Sequence, residues 1–144
     1  MVCYLNSLQP LALLTLRVVL GVIMMAHGYG KVFGGMQRFT ENVTNMGFPA
    51  FMAYVAAYSE FFGGALVVLG LLTRVASLFV LGVMFVAIWK VHWTRGLTGQ
   101  GGFEFPLALG TIAFALIFLG PGPLSLDRLL SRRRGAVQRK NKRA

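Results

Sequence analysis

The segment Phe51–Leu72, FMAYVAAYSEFFGGALVVLGLL, is long enough to cross a bilayer and carries one charge, Glu60, near its middle. An ionised carboxylate at that depth costs roughly 2.5–3.5 kcal/mol on insertion scales. A chain that keeps one there must give it a partner or a task. Three further apolar runs accompany this one. Leu8–Tyr29 is interrupted by Arg17, Val75–Val91 by Lys90, and Phe105–Leu119 is entered just before its start from Glu104.

Only 12% of the residues are charged and the mean hydropathy is +0.69, whereas soluble domains carry about 25% charged residues. The chain is therefore an integral membrane protein. Runs that are apolar all round exclude a surface-lying amphipathic helix. They also exclude a barrel, whose strands alternate with period two. The expected fold is all-α: a four-helix transmembrane bundle spanning residues 1–123. Leu8–Tyr29 is expected to be a retained span and not a cleaved signal, because no cation precedes its apolar run and Arg17 splits it.

The net charge of +10 is concentrated at one end. From Arg128 onward there are eight Lys and Arg and no acid. No aromatic residue interleaves them, so nucleic-acid binding is not indicated. Such a tail stays in the cytoplasm; four spans then place both termini there. Residues 124–144 are expected to hold a short interfacial helix, started by Ser125 or Asp127 and lined by Leu126, Leu129 and Leu130, followed by a polar tail. Anionic lipid or a cytoplasmic protein would partner that tail. Gly30–Ala50 and the Gly-rich Trp93–Phe103 become outward connections, with Trp89, Trp93, Phe103 and Phe105 in an aromatic belt.

Depth arithmetic selects the partner for Glu60. At about 1.5 Å per residue, Arg17 lies roughly 13 Å above the inner boundary and Glu60 about 17 Å above it. An Arg17–Glu60 ion pair is thus expected. It either staples the helices or forms part of a substrate or proton site. His27 and Lys31 share one helix face at the outer end of their span. Lys90 and His92 mark the outer end of the third span, and Glu104 the start of the fourth. His27, Lys31, Glu60, His92 and Glu104 are therefore expected to form one connected pocket. The plainer reading is that Lys31, Lys90 and Glu104 snorkel to headgroups. Two histidines without a third ligand do not define a metal site. Cys3 is the only cysteine, so neither a disulfide within this chain nor covalent haem attachment follows. Gly63 with Gly70, and Gly30 with Gly34, are spaced for close helix contacts.

Several local patterns occur in a telling order: RVVLG from Arg17, His27-Gly28 with Lys31, MGFP from Met46, EFFGG from Glu60, GLLTR from Gly70, His92, GGFEFPL from Gly101, and GPG at Gly120 with Ser125-Leu126-Asp127. In order and spacing they resemble the DoxX family of small four-helix bacterial membrane proteins, over about residues 10–130. That resemblance implies a bacterial plasma-membrane protein, similar to the DoxD subunit of thiosulfate:quinone oxidoreductase. Its recurring polar positions correspond to Arg17, His27, Lys31, Glu60, His92 and Glu104. Two functions follow as expectations. In one, the chain is a subunit of a quinone-linked membrane oxidoreductase, with a sulfur oxyanion as a candidate substrate. Lys31, Lys90 and Arg95 would then attract the anion, with His92 and Glu104 beside it, while His27 or Glu60 relays protons. In the other, it is a non-catalytic accessory subunit of a respiratory or photosynthetic complex. Other membrane subunits, or copies of itself, are the expected partners.

Overall fold

A computed structural model of the chain describes the backbone of residues 2–131 and the side chains of residues 7–131. The described residues are helical throughout, joined by turns, with no strand. The order is α1 (Val2–Gly30), a π-helical segment (Lys31–Gly35), α2 (Met36–Asn45), α3 (Phe51–Leu69) and α4 (Thr73–Val86). A second π-helical segment (Ala87–His92), a 3-10 turn (Trp93–Arg95) and α5 (Glu104–Leu119) complete it. Three continuous helical stretches are long and apolar enough to cross a membrane: Ser7–Asn45, Phe51–Leu69 and Thr73–Arg95; Glu104–Leu119 is a shorter apolar helix. The basic residues after Ser131 lie outside the described residues.

The core draws on all four apolar helices. Leu20 and Met24 of α1, Val67 of α3, Val80 and Met84 of α4, and Leu109 and Leu116 of α5 are buried together. Around them the surface is greasy: Val22, Leu78, Phe85, Phe114 and Phe118 are all exposed. Large apolar side chains turned outward on the four apolar helices are what a lipid solvent requires.

α1 and α3 approach through glycine. A Cβ on Gly28 would fall 2.5 Å from the Phe61 backbone nitrogen, and one on Gly21 would fall 2.5 Å from the Gly64 carbonyl oxygen. Gly64 returns the contact, 2.7 Å from the Gly21 oxygen. Backbones this close fix the antiparallel register of the two helices. The glycines singled out by spacing behave differently. Gly30 and Gly34 have nothing within 4 Å, and Gly63 makes only ordinary contact with Val80.

That register corrects the expected Arg17–Glu60 pair. Arg17 is level with the C-terminus of α3, far from Glu60. Its Nε donates to the Val67 carbonyl (3.1 Å), Nη2 to Val68 (3.1 Å), and Nη1 to Leu124 (2.9 Å) and to Pro121. A cation there satisfies orphan carbonyls at the negative end of a helix dipole. The depth estimate failed because it counted from the edge of the apolar run, whereas the glycine contacts set the actual level.

Asp127 completes this end. Its carboxylate accepts from the backbone N–H of Leu72 (3.0 Å) and Thr73 (3.2 Å), capping the start of α4, and its own N–H donates to the Gly70 carbonyl (3.0 Å). Ser125 instead caps a short helix over residues 126–131, accepting from the Arg128 N–H at 3.3 Å. Gly70 ends α3 in the left-handed conformation (φ 68°), and the Arg17 guanidinium carbon would lie 2.7 Å from any Cβ there. The segment after α5 is thus clamped onto the turn between α3 and α4.

The connection Gly30–Ala50 is also corrected. It is helical up to Asn45, and only residues 46–50 form a turn. A straight helix from Ser7 to Asn45 would be about twice the bilayer thickness. The backbone leaves helical angles at Gly35 (φ -120°, ψ 10°), and α2 turns over the end of the molecule. Its Val43 is buried while Arg38 and Glu41 are exposed.

The glycine contacts are directly testable. Gly28→Ala and Gly64→Ala should each destabilise the protein by about 1–3 kcal/mol, the typical cost of overpacking. Gly30→Ala and Gly34→Ala should stay within about 0.5 kcal/mol of the parent. Thermal melting in detergent separates the pairs; equal effects would disprove the register argument.

Candidate functional site

At the end opposite the Arg17 cluster lies a cavity of about 850 Å³. His27, Lys31, Glu60, His92 and Glu104 all line it. They come from five parts of the chain: the end of α1, the first π segment, the middle of α3, the second π segment and the start of α5 fold toward one space. The walls are otherwise mostly apolar, including Met24, Phe39, Val43 and Phe105.

Glu60 is 4% exposed. Its partner is Lys31, whose Nζ lies 2.6 Å from Oε1 and 2.5 Å from Oε2. The same ammonium sits 4.4 Å from the centre of the Phe39 ring, a cation–π contact on its other side. Lys31 therefore does not snorkel away from the protein; α2 and α3 hold it between them.

Both π segments carry site residues. A π turn holds more residues per turn than an α turn, so it rotates the following side chains relative to the preceding helix; such bulges favour functional sites. The first begins at Lys31 and the second ends at His92. Lys90, inside the second, does not line the cavity. Its ammonium lies over the rings of Trp89 (4.4 Å) and Phe48 (5.4 Å). Arg95 lies along the loop against Gly101 and is also outside the cavity.

The histidines are oriented by backbone carbonyls. His27 Nδ1 lies 2.9 Å from the Ile23 oxygen, and His92 Nδ1 lies 2.6 Å from the Gly101 oxygen. A carbonyl only accepts, so each Nδ1 carries its proton. In the neutral ring Nε2 then holds a lone pair. His27 also packs near Phe105, with ring centroids 5.8 Å apart. Among the described residues no three His, Cys, Asp or Glu side chains gather as a metal site would need.

Charge at the site is largely spent. Lys31 is neutralised by Glu60, and Glu104 is exposed at the α5 start with no cation paired to it among the described residues. The cavity thus offers two imidazole acceptors, one uncompensated carboxylate, and Ser59 and Asn42 at its wall. Ser59, Asn42 and the whole covering face of α2 were missed by sequence reasoning. The signal available was the Phe39–Val43 apolar spacing beside exposed Arg38 and Glu41.

These features define a multi-pass helical membrane protein with a largely apolar cavity at one end that holds a few polar side chains. The DoxX family profile matches residues 12–93, and the chain belongs to the DoxX family. It is 36% identical to CatD of Bacillus subtilis (strain 168), a protein named as a proposed oxidoreductase, over 85% of this chain and 89% of that one. It is 29% identical to inner membrane protein YqjF of Escherichia coli (strain K12), over 89% and 98%. To the uncharacterized membrane protein Rv3486 of Mycobacterium tuberculosis (strain ATCC 25618 / H37Rv) it is 31% identical, over 90% and 87%. No solved structure matches the chain.

The ion pair yields an asymmetric expectation. Lys31→Met strands the enclosed Glu60 and should cost about 3–5 kcal/mol. Glu60→Gln should cost less, because Lys31 keeps a 26% exposed side chain. The double variant should recover much of the loss. A cycle between Arg17→Leu and Glu60→Gln should be additive within about 0.5 kcal/mol. Strong coupling between Arg17 and Glu60 in detergent melts would contradict the observed pairing.

Proposed function

We propose that this chain is a quinone-binding subunit of a bacterial inner-membrane oxidoreductase. The observation that carries the reading is the cavity itself. It is large enough for an aromatic head, mostly apolar, and equipped with two histidine Nε2 acceptors near a buried carboxylate. A hydroquinone presents two O–H donors on a flat apolar ring and matches that arrangement. An oxyanion suits it less well. Lys31 is spent on Glu60, Lys90 and Arg95 lie elsewhere, and Glu104 adds negative charge. The sulfur-oxyanion alternative is therefore the weaker substrate class for this cavity. The name of the Bacillus subtilis relative supports the oxidoreductase part of this reading and says nothing of the substrate.

In this reading His27 and His92 accept the hydroquinone protons as it is oxidised, and the Glu60–Lys31 pair offers a path for moving one onward. The two electrons pass to a redox-active partner subunit, since Cys3 alone gives this chain no redox pair. Its own residues bind, orient and handle protons.

The same proposal has α5 crossing the membrane as a fourth span, with both termini cytoplasmic and the cavity opening outward. The cationic residues from Arg128 onward support this orientation. In a Cys3→Ser background, a cysteine at Thr98 should react with an impermeant reagent from outside and one at Ser131 should not. Outside labelling at Ser131 would reverse the orientation.

Binding is tested by purifying the protein in mild detergent and measuring retained quinone. His27→Ala and His92→Ala should each weaken quinol binding roughly fivefold, the worth of one hydrogen bond. Glu60→Gln should preserve assembly and slow turnover of the parent complex. If no quinone is retained and all three variants leave turnover unchanged, the chain is a non-catalytic accessory subunit.

A further inference from the structure

A second hollow, about 530 Å³, lies at the opposite end of the molecule, where the turn before α4 meets the segment after α5. Arg74, Arg128 and Ser131 line it, with the backbone of Gly120 and Gly122 and the side of Asp127. It shares no residue with the cavity described above.

Its charge is unbalanced. The Asp127 carboxylate is already occupied by the N–H groups of Leu72 and Thr73. The other acids of the chain are Glu41, Glu60 and Glu104, all remote from this end. Arg128 has no side-chain partner among the described residues. Arg74 reaches only the Phe118 carbonyl, at 3.5 Å, too long for a strong bond. Two exposed guanidinium groups therefore face one hollow against a single carboxylate, Asp127, whose oxygens are held by neutral backbone N–H groups, so the hollow keeps a net positive charge. Gly120 and Gly122 both adopt positive φ (74°). A Cβ on Gly120 would sit 3.4 Å from the Arg74 guanidinium, so the chain turns closely past that arginine.

Leu119 lines the hollow and is 61% exposed, and Leu124 and Leu129 of the same segment are 53% and 49% exposed. Arginines paired with phosphate geometry, bordered by leucines at the end of membrane helices, suit a molecule with an anionic head and hydrocarbon tails. We propose that this hollow is a binding site for one anionic phospholipid, its phosphodiester held by Arg74 and Arg128 and its acyl chains lying along the exposed leucines. The basic tail would add general attraction to an anionic leaflet; the hollow selects a bound lipid.

Native mass spectrometry of the full chain in mild detergent tests this, with phosphatidylglycerol titrated against phosphatidylcholine. The wild type should retain one phosphatidylglycerol preferentially. Arg128→Gln makes no folded contact worse and should weaken retention roughly fivefold; Arg74→Gln with Arg128→Gln should weaken it further. Neutralising Lys140 and Arg143 instead should leave the single bound lipid in place. Retention that follows the tail and ignores Arg74 and Arg128 would overturn the site. So would equal retention of the two lipids, or displacement of the lipid by an equal concentration of inorganic phosphate. Melting curves that match the parent show that the variants remain folded.

Discussion

The close contact of α1 with α3 decides what every other polar residue can do. Gly21 and Gly28 face Gly64 and Phe61 at backbone distance. In a lipid solvent, where apolar surface gains little by leaving hydrocarbon, such packing is a main source of helix association. It also fixes the level of each side chain. Lys31 is brought to Glu60, and Arg17 is left at the other end with the terminal carbonyls of α3. A shift of one helical turn would separate the first pair and strand both charges. The glycine contacts and the buried carboxylate thus depend on each other: one sets the register, and the other makes any different register costly.

The two ends solve the same problem in different ways. At one end a guanidinium satisfies backbone carbonyls, and Asp127 satisfies the N–H groups that start α4. All these groups are tied down by hydrogen bonds between neighbouring segments. At the other end the ion pair borders open space, and the histidines keep an unoccupied nitrogen. A closed network serves stability, whereas free acceptors around a cavity serve a ligand. The hydroxyls of Thr73 and Ser77 stand apart from both patterns. They are fully buried and have no hydrogen-bond partner among the described residues.

Much of this was legible in the residues. Apolar run lengths located the helices, and the cost of burying Glu60 announced that it had a partner. Grouping by depth also brought together His27, Lys31, Glu60, His92 and Glu104, which line one cavity. The choice of cation was not legible, because it depends on which glycines touch. Gly28 and Gly64 look no different in sequence from Gly30 and Gly34. Nor was the helical nature of residues 36–45, whose polar composition reads as a connection when its partner surface is unknown. The π segments left no sequence signal. Lys31 and His92, which line the cavity, stand at the start of one and the end of the other.

The proposed occupant of the cavity beside Glu60 and Lys31 is a quinone. Photolabelling the protein in native membranes with a photoreactive quinone, followed by mapping of the modified peptides, tests it most directly. Label is expected on the peptides holding Met24–Lys31 and Met52–Glu60, abolished by excess quinol. Label confined to lipid-facing α5 residues such as Phe114 and Phe118, or label that excess quinol fails to displace, would contradict it.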